Sequence, residues 1–499
     1  MTSSEIIKRR NFLRRACGFT LGATGFSALH DLRLIQSALA QQAGNTVFPD
    51  YKALICLFLA GGNDSNNLII PNSATEYATY QTTRNVIALS NTPGGINSNS
   101  ILPLSTSGTA GREFGIHSNC PELQTLFNGG KLAFVANTGT LVEPLTKTTY
   151  SNRTGRRPPQ LESHNDQVVQ WMTSIPDQIS PTGWAGRTAD LLRSNVGTSP
   201  VSMSISANGF NTWEVGKFVN QYQVPSAALG ASSSVSTLTG YTAGSARATA
   251  IRNIISSGKT SATLSEQDYS QVFDTALNAA DLLNTALGGI TVTDNNTIQA
   301  AFDGDTTNPG PLRSPNGSPD VSEARTLAGQ MKMIAKIIAS RNAIGIKRQI
   351  FFCQIGGWDT HTDQLAGHNK ILRAVSRNIK ALQDCMDAFG IADKVTLFTA
   401  SDFGRTYKTN GSGSDHGWGT HTMVAGGAVQ GGKIYGTFPT VVPGGPDDYG
   451  SNGRWIPTTA VDEYAATLAR WFGVTESNLD VVLPNLYRFN HRNLGFLSL

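Results

Sequence analysis

The chain has 499 residues, 39% of them hydrophobic and only 15% charged, with 51 Gly, 21 Pro and 5 Cys. That length supports a large core, in one big α/β domain or two smaller ones, and the low charge excludes a coiled coil and a disordered polyelectrolyte. The formal charge of +4 hints at nucleic acid, but residues 1–40 hold six Lys/Arg against two acids and the remainder is balanced. A nucleic-acid partner therefore has no electrostatic basis.

The first forty residues read as an address. KRRNFLRRA at 8–16 carries a twin arginine followed by Phe12 and Leu13, a weakly apolar stretch runs over 16–29, and Ala38-Leu39-Ala40 supplies a small-x-small cleavage signal. This is the layout of a bacterial twin-arginine export signal, and it predicts a periplasmic or secreted protein with the twin-arginine translocase as its partner during export. The alternative is an uncleaved basic amphipathic helix. The apolar run is too short and too rich in Gly and Thr for an anchor, so no integral membrane segment is expected in the mature chain. That export route carries folded proteins, which points to a metal acquired in the cytoplasm.

From residue 41 to 499 the pattern predicts one α/β domain. KALICLFLAGGND at 52–64, LAFVANTG at 132–139, RQIFFCQIGGWD at 348–359 and VTLFTASDFG at 395–404 are buried strands ending in Gly, Asp or Ser. Helical periods at 322–343 and 368–389 alternate with them, which argues for a mainly parallel central sheet with helices on both faces. Cys56 and Cys353 lie inside strands, where small buried hydrophobes are expected rather than disulfide partners. Between about 205 and 320 the composition shifts to Ser, Thr, Ala, Gly and Asn, with one helical stretch at 265–287. This segment is read as an inserted cap region or a surface excursion.

The polar residues gather at strand ends, where ligands bind in open α/β sheets. Asp64 closes the first strand, Asp359 and His361 another, and Asp402 a third; GSGSDHGWGTH at 411–421 adds Asp415, His416 and His421. Crowded carboxylates repel one another unless cations neutralise them, and a mixed Asp/His set suits one or two divalent ions such as Zn, Mn, Fe or Ca. Each residue also has a plainer role open to it. Asp64 fits a helix N-cap, Asp359 an Asx turn, and Arg405 a structural partner of Asp402 as well as a clamp for a substrate anion.

In order along the chain, LFLAGGNDSNNLIIP, FGIHSNCPELQTLFNGGKLAFV, SHNDQVVQW, GWAGRTADLL, GGWDTHTDQ, ASDFGRTYKTNGSGSDHGWGTH and GGKIYGTFP resemble the exported domain-of-unknown-function 1501 proteins. The resemblance covers roughly 50–499 outside the insert. It implies the alkaline phosphatase-like fold shared by phosphatases, sulfatases and phosphoglycerate mutases. By that resemblance Asp64 corresponds to a first-strand aspartate bridging into the metal site, and Asp359 with His361 to the pair at one metal, spaced D-x-H instead of D-x-x-x-H. Asp402 corresponds to the aspartate of a second metal, although Phe403 stands where a histidine usually follows. Asp415 and His416 are candidates for the missing ligand, and His421 for the late histidine of the first metal. The nucleophile expected at a helix N-terminus is Ser163, for which an ordinary N-cap is the plainer role. No C/S-x-P-x-R motif for a formylglycine is present, which argues against the usual sulfatase chemistry.

The residues therefore support an exported metal-dependent hydrolase of phosphate esters or related anionic esters, with Ser163 and Arg405 as catalytic candidates. Lys408 is a second candidate for holding the anion. The alternative is a non-catalytic exported binding or scaffold protein that retains the fold, with a small anionic ligand or a cell-envelope component as partner.

Overall fold

In the computed structural model, residues 47–499 are described apart from 110, 231–233, 236–240, 306, 314–321 and the side chains of 322–324. The expected export signal lies outside the described residues. Twelve strands form among those described: β1 (Lys52–Leu59), β2 (Ile69–Pro71), β3 (Ile101–Pro103), β4 (Phe114–His117), β5 (Leu132–Gly139), β6 (Ser204–Ser206), β7 (Tyr222–Gln223), β8 (Arg348–Ile355), β9 (Val395–Ser401), β10 (Thr420–Gly426), β11 (Ile434–Tyr435) and β12 (Thr459–Ala460). Nine make one sheet in the order β11-β5-β10-β9-β1-β8-β6-β7, with β12 also paired to β5. Within it every pairing is parallel except those of β10, which runs antiparallel to β5 and β9. Strands β2, β4 and β3 form a separate small antiparallel sheet.

The molecule is thus α/β with a central, largely parallel sheet. Strand β1 occupies its middle because ALICLFL offers apolar side chains at both parities. Every residue from Ala53 to Leu59 is at most 2% exposed, so both sheet faces are covered. On one face, Cys56, Phe58, Phe352 and Phe398 meet Trp171, Trp184 and Tyr464. These come from the helices His164–Thr173, Trp184–Leu192 and Val461–Phe472. The helix Ser322–Ala339 packs on β8 and on the long helix Gln364–Ala388. All four described cysteines are free and buried, and the Cys353 thiol lies 3.5 Å from the Cys56 carbonyl.

The described residues of 205–320 form more regular elements than the one helical stretch expected. Its first residues add β6 and β7 to the sheet edge beyond β8. The helix expected at 265–287 is present as Leu264–Gly288, flanked by Ala246–Gly258 and Val292–Phe302, whose Ala-, Ser- and Thr-rich sequences mask their period. Val292–Phe302 packs on Ser322–Ala339 and Gln364–Ala388. The buried Lys332 ammonium bonds Asp303 at 2.7 Å and the carbonyls of Ala228 and Gly230, which ties the segment to the helix layer. No helix among the described residues is long and apolar enough to cross a membrane.

Candidate metal centre

Because β1, β8 and β9 are parallel neighbours, their carboxyl ends open at one edge, and antiparallel β10 starts there. The loop leaving β1 passes close under the others. A Cβ on Gly61 would stand 2.6 Å from the Asp359 nitrogen, and one on Gly62 would stand 2.5 Å from the Phe403 ring. Both glycines also have positive φ, +122° and +84°. Only glycine lets these loops meet at that spacing.

Asp359 is the hub. Its Oδ1 lies 3.1 Å from His361 Nε2 and 3.2 Å from His416 Nε2, and the two Nε2 atoms are 3.1 Å apart. The Nε2 of His164 lies 3.6 Å from Asp359 Oδ2. One ligand atom from each of His164, Asp359 and His416 falls within 4.8 Å of the others. Each histidine has its other ring nitrogen engaged. His164 Nδ1 is 2.7 Å from Asp402 Oδ2, His361 Nδ1 is 3.2 Å from Asp415 Oδ1, and His416 Nδ1 is 2.8 Å from the Glu162 carbonyl. In the tautomer that gives each Nδ1 proton to its acceptor, every Nε2 offers a lone pair towards Asp359. That tautomer sets three lone pairs against one carboxylate, an arrangement that a cation would relieve.

A buried Arg405 supports this hub from below. Its Nη1 donates to Asp359 Oδ1 at 2.6 Å and to the Gly61 carbonyl at 3.3 Å, and its Nη2 donates to the Ser414 carbonyl. Burial pushes the Asp359 carboxyl up, but the Arg405 hydrogen bond and charge, with His361 and His164 beside it, hold it below the ordinary carboxylate range. Asp415 is lowered likewise: burial opposes, and Asn410, His361 and Arg454 outweigh it. Phe403 fills the wall behind, with ring centroids 4.7 Å from His164 and 4.6 Å from His416.

The metal-ligand candidates singled out from sequence divide into three groups. Asp359, His361 and His416 come together at the hub. Asp402 and Asp415 are adjacent to it but orient histidines, and Asp402 also accepts from the Gly61 N–H at 3.0 Å. Asp64 and His421 face elsewhere. Asp64 is fully buried against Arg84 and Gln364. His421 accepts from the Asn137 N–H at 3.0 Å and stacks on Phe438, and burial lowers its pKa to about 3. Ser163 stands at the N-cap position of the helix His164–Thr173 without a side-chain capping bond, and its hydroxyl donates to Asp166 at 2.5 Å. Arg405 pairs with Asp359 rather than Asp402, and its side chain is 0% exposed, so it cannot close on an incoming anion without leaving its partners. Sequence reasoning passes over His164 and Glu162. The only signal for His164 is its place in SHNDQVVQW beside the serine, and nothing in the sequence marks a backbone carbonyl.

A family model described as Protein of unknown function (DUF1501) matches residues 232–448. That stretch contains Asp359, His361, Asp402, Arg405, Asp415, His416 and His421, and leaves out Asp64, Ser163 and His164. No curated protein matches the chain. Among solved structures, the chain is similar to Ps i-CgsB in complex with k-i-k-neocarrahexaose, at 9% identity over 89% of this chain and 77% of that one, with a TM-score of 0.32. It is also similar to PsFucS1 sulfatase from Pseudoalteromonas sp., at 10% identity over 90% and 72% of the two chains, with a TM-score of 0.33.

Proposed function

We propose that this chain is an exported metal-dependent hydrolase of phosphate esters or related anionic esters. The observation that carries the reading is the convergence of three histidine Nε2 atoms on Asp359, each ring held through its Nδ1. His164, Asp359, His361 and His416 would hold one divalent ion. Three imidazoles with one carboxylate suit Zn, Mn or Fe, whereas Ca takes oxygen donors and fits poorly. The residues expected at a second ion are engaged otherwise, Asp64 with Arg84 and Asp402 with His164. A divalent ion held there supplies Lewis-acid polarisation of an ester oxygen.

The chain's own residues do the rest. Arg405 keeps Asp359 ionised and aimed at the histidines. Asp402, Asp415 and the Glu162 carbonyl keep the ring protons on Nδ1. Asp359, 45% exposed at its side chain, and His361, at 43%, leave the centre open to solvent. Lys408, exposed on the following loop, offers a positive charge for an anionic substrate.

The test is a panel of phosphomonoester, phosphodiester and sulfate ester substrates, run on the exported protein with and without a chelator. The expected result is turnover abolished by the chelator and reduced about 10²-fold or more in Asp359→Ala. Metal uptake with no turnover on any ester would instead support the non-catalytic binding protein. One observation already favours that second reading: the Ser163 hydroxyl and the Arg405 guanidinium both have structural partners.

A further inference from the structure

We infer that Glu162 is a positioning residue that fixes two histidines of the centre from a single left-handed turn, an inference that rests on the metal reading above. Glu162 has φ +69°, a conformation disfavoured for a residue with a Cβ unless its surroundings hold it. Its carbonyl accepts the His416 Nδ1 proton at 2.8 Å, and two residues further on the chain presents His164 as the first residue of its helix. The same backbone turn therefore sets the tautomer of one histidine and the position of another.

What holds the turn is a side-chain clamp. The Tyr449 hydroxyl donates to Glu162 Oε1, and Arg454 Nε lies 3.3 Å from Oε2. That same Arg454 Nε donates to the His416 carbonyl at 2.9 Å, so one guanidinium spans both partners of the carbonyl–imidazole bond. The Glu162 N–H donates to Gln167 Oε1 at 2.9 Å, which anchors the turn to the following helix. Tyr449 is itself fixed by rings, 4.7 Å from Tyr150 and 6.0 Å from Trp418 between centroids. Outer partners of this kind raise metal affinity by holding ligands in orientation, and their loss weakens binding 10- to 100-fold.

The experiment compares wild type, Glu162→Ala, Tyr449→Phe and the double variant in two arms. In the metal-free arm, ¹⁵N-histidine spectra read the His416 ring, identified by its absence in His416→Gln. The proton is expected on Nδ1 in wild type and distributed over both nitrogens in Glu162→Ala. In the second arm, zinc affinity is measured by chelator competition. The expected loss is about tenfold for Glu162→Ala and smaller for Tyr449→Phe, and the double variant should be no weaker than Glu162→Ala alone. Tyr449→Phe keeps its ring in the aromatic cluster, so it reads the clamp even if Glu162→Ala folds poorly. If wild type takes up no zinc, the metal reading fails while the ring spectra still decide the clamp. An unchanged His416 tautomer in both single variants would overturn the inference, and so would zinc losses that simply add.

Discussion

At the scale of single residues, the same side chain can hold a metal or hold the fold, and its partners decide which. Asp64 and Arg84 have 0% exposed side chains, and Arg84 Nη1 also donates to the Thr406 and Tyr407 carbonyls at 2.9 and 3.1 Å. Removing the carboxylate strands a buried guanidinium, which costs about 3–5 kcal/mol. Asp64→Ala is therefore expected to lower the denaturation midpoint steeply while its metal content matches wild type. Loss of metal with little change in stability would return Asp64 to the ligand set. Sequence alone leaves this open, because an aspartate after Gly-Gly at a strand end looks the same in both roles. Arg84, the residue that decides it, lies 20 positions away on the helix Ala74–Arg84.

At the scale of elements, the long apolar strands were legible because period and length are local properties. Strands β1, β5, β8 and β9 lie inside the apolar runs that predict them, and the helix Gln364–Ala388 starts four residues before its expected position. Strands β6 and β7 were not legible, since three- and two-residue strands have no measurable period and exist only through pairing, β6 with β8 and β7 with β6. Their connection buries Glu214, whose Oε2 accepts from Asn211 Nδ2 at 2.8 Å. Burial pushes that carboxyl up from 4.5 to about 8. Between those values the folded chain keeps a proton that the unfolded chain releases, so stability falls as pH rises through the window. Glu214→Gln removes the penalty. Its stability relative to wild type is expected to rise by about 2–4 kcal/mol between about pH 5 and about pH 8, read from denaturant melts. An equal difference at both ends would show that Glu214 is ionised throughout.

At the scale of the whole molecule, the centre exists because a parallel sheet brings distant segments to one edge. The loop after β8, the loop joining β9 to β10 and the first residue of the helix His164–Thr173 supply Asp359, His361, Asp402, His416 and His164. Asp359 and Asp402 were legible as neighbours, because strand ends in such sheets share an edge, whereas Asp64, beyond the end of β1, turns away to Arg84. The division into ligands and orienting partners was not legible, since it depends on which oxygen meets which ring nitrogen. The central claim is that three histidines and Asp359 hold one divalent ion. The direct measurement is metal content, by plasma mass spectrometry, of the purified protein beside Asp359→Ala and His164→Ala. About one equivalent of Zn, Mn or Fe in wild type, lost in both variants, is the expected result. No metal in wild type even after reconstitution, or full metal retained in Asp359→Ala, would contradict it.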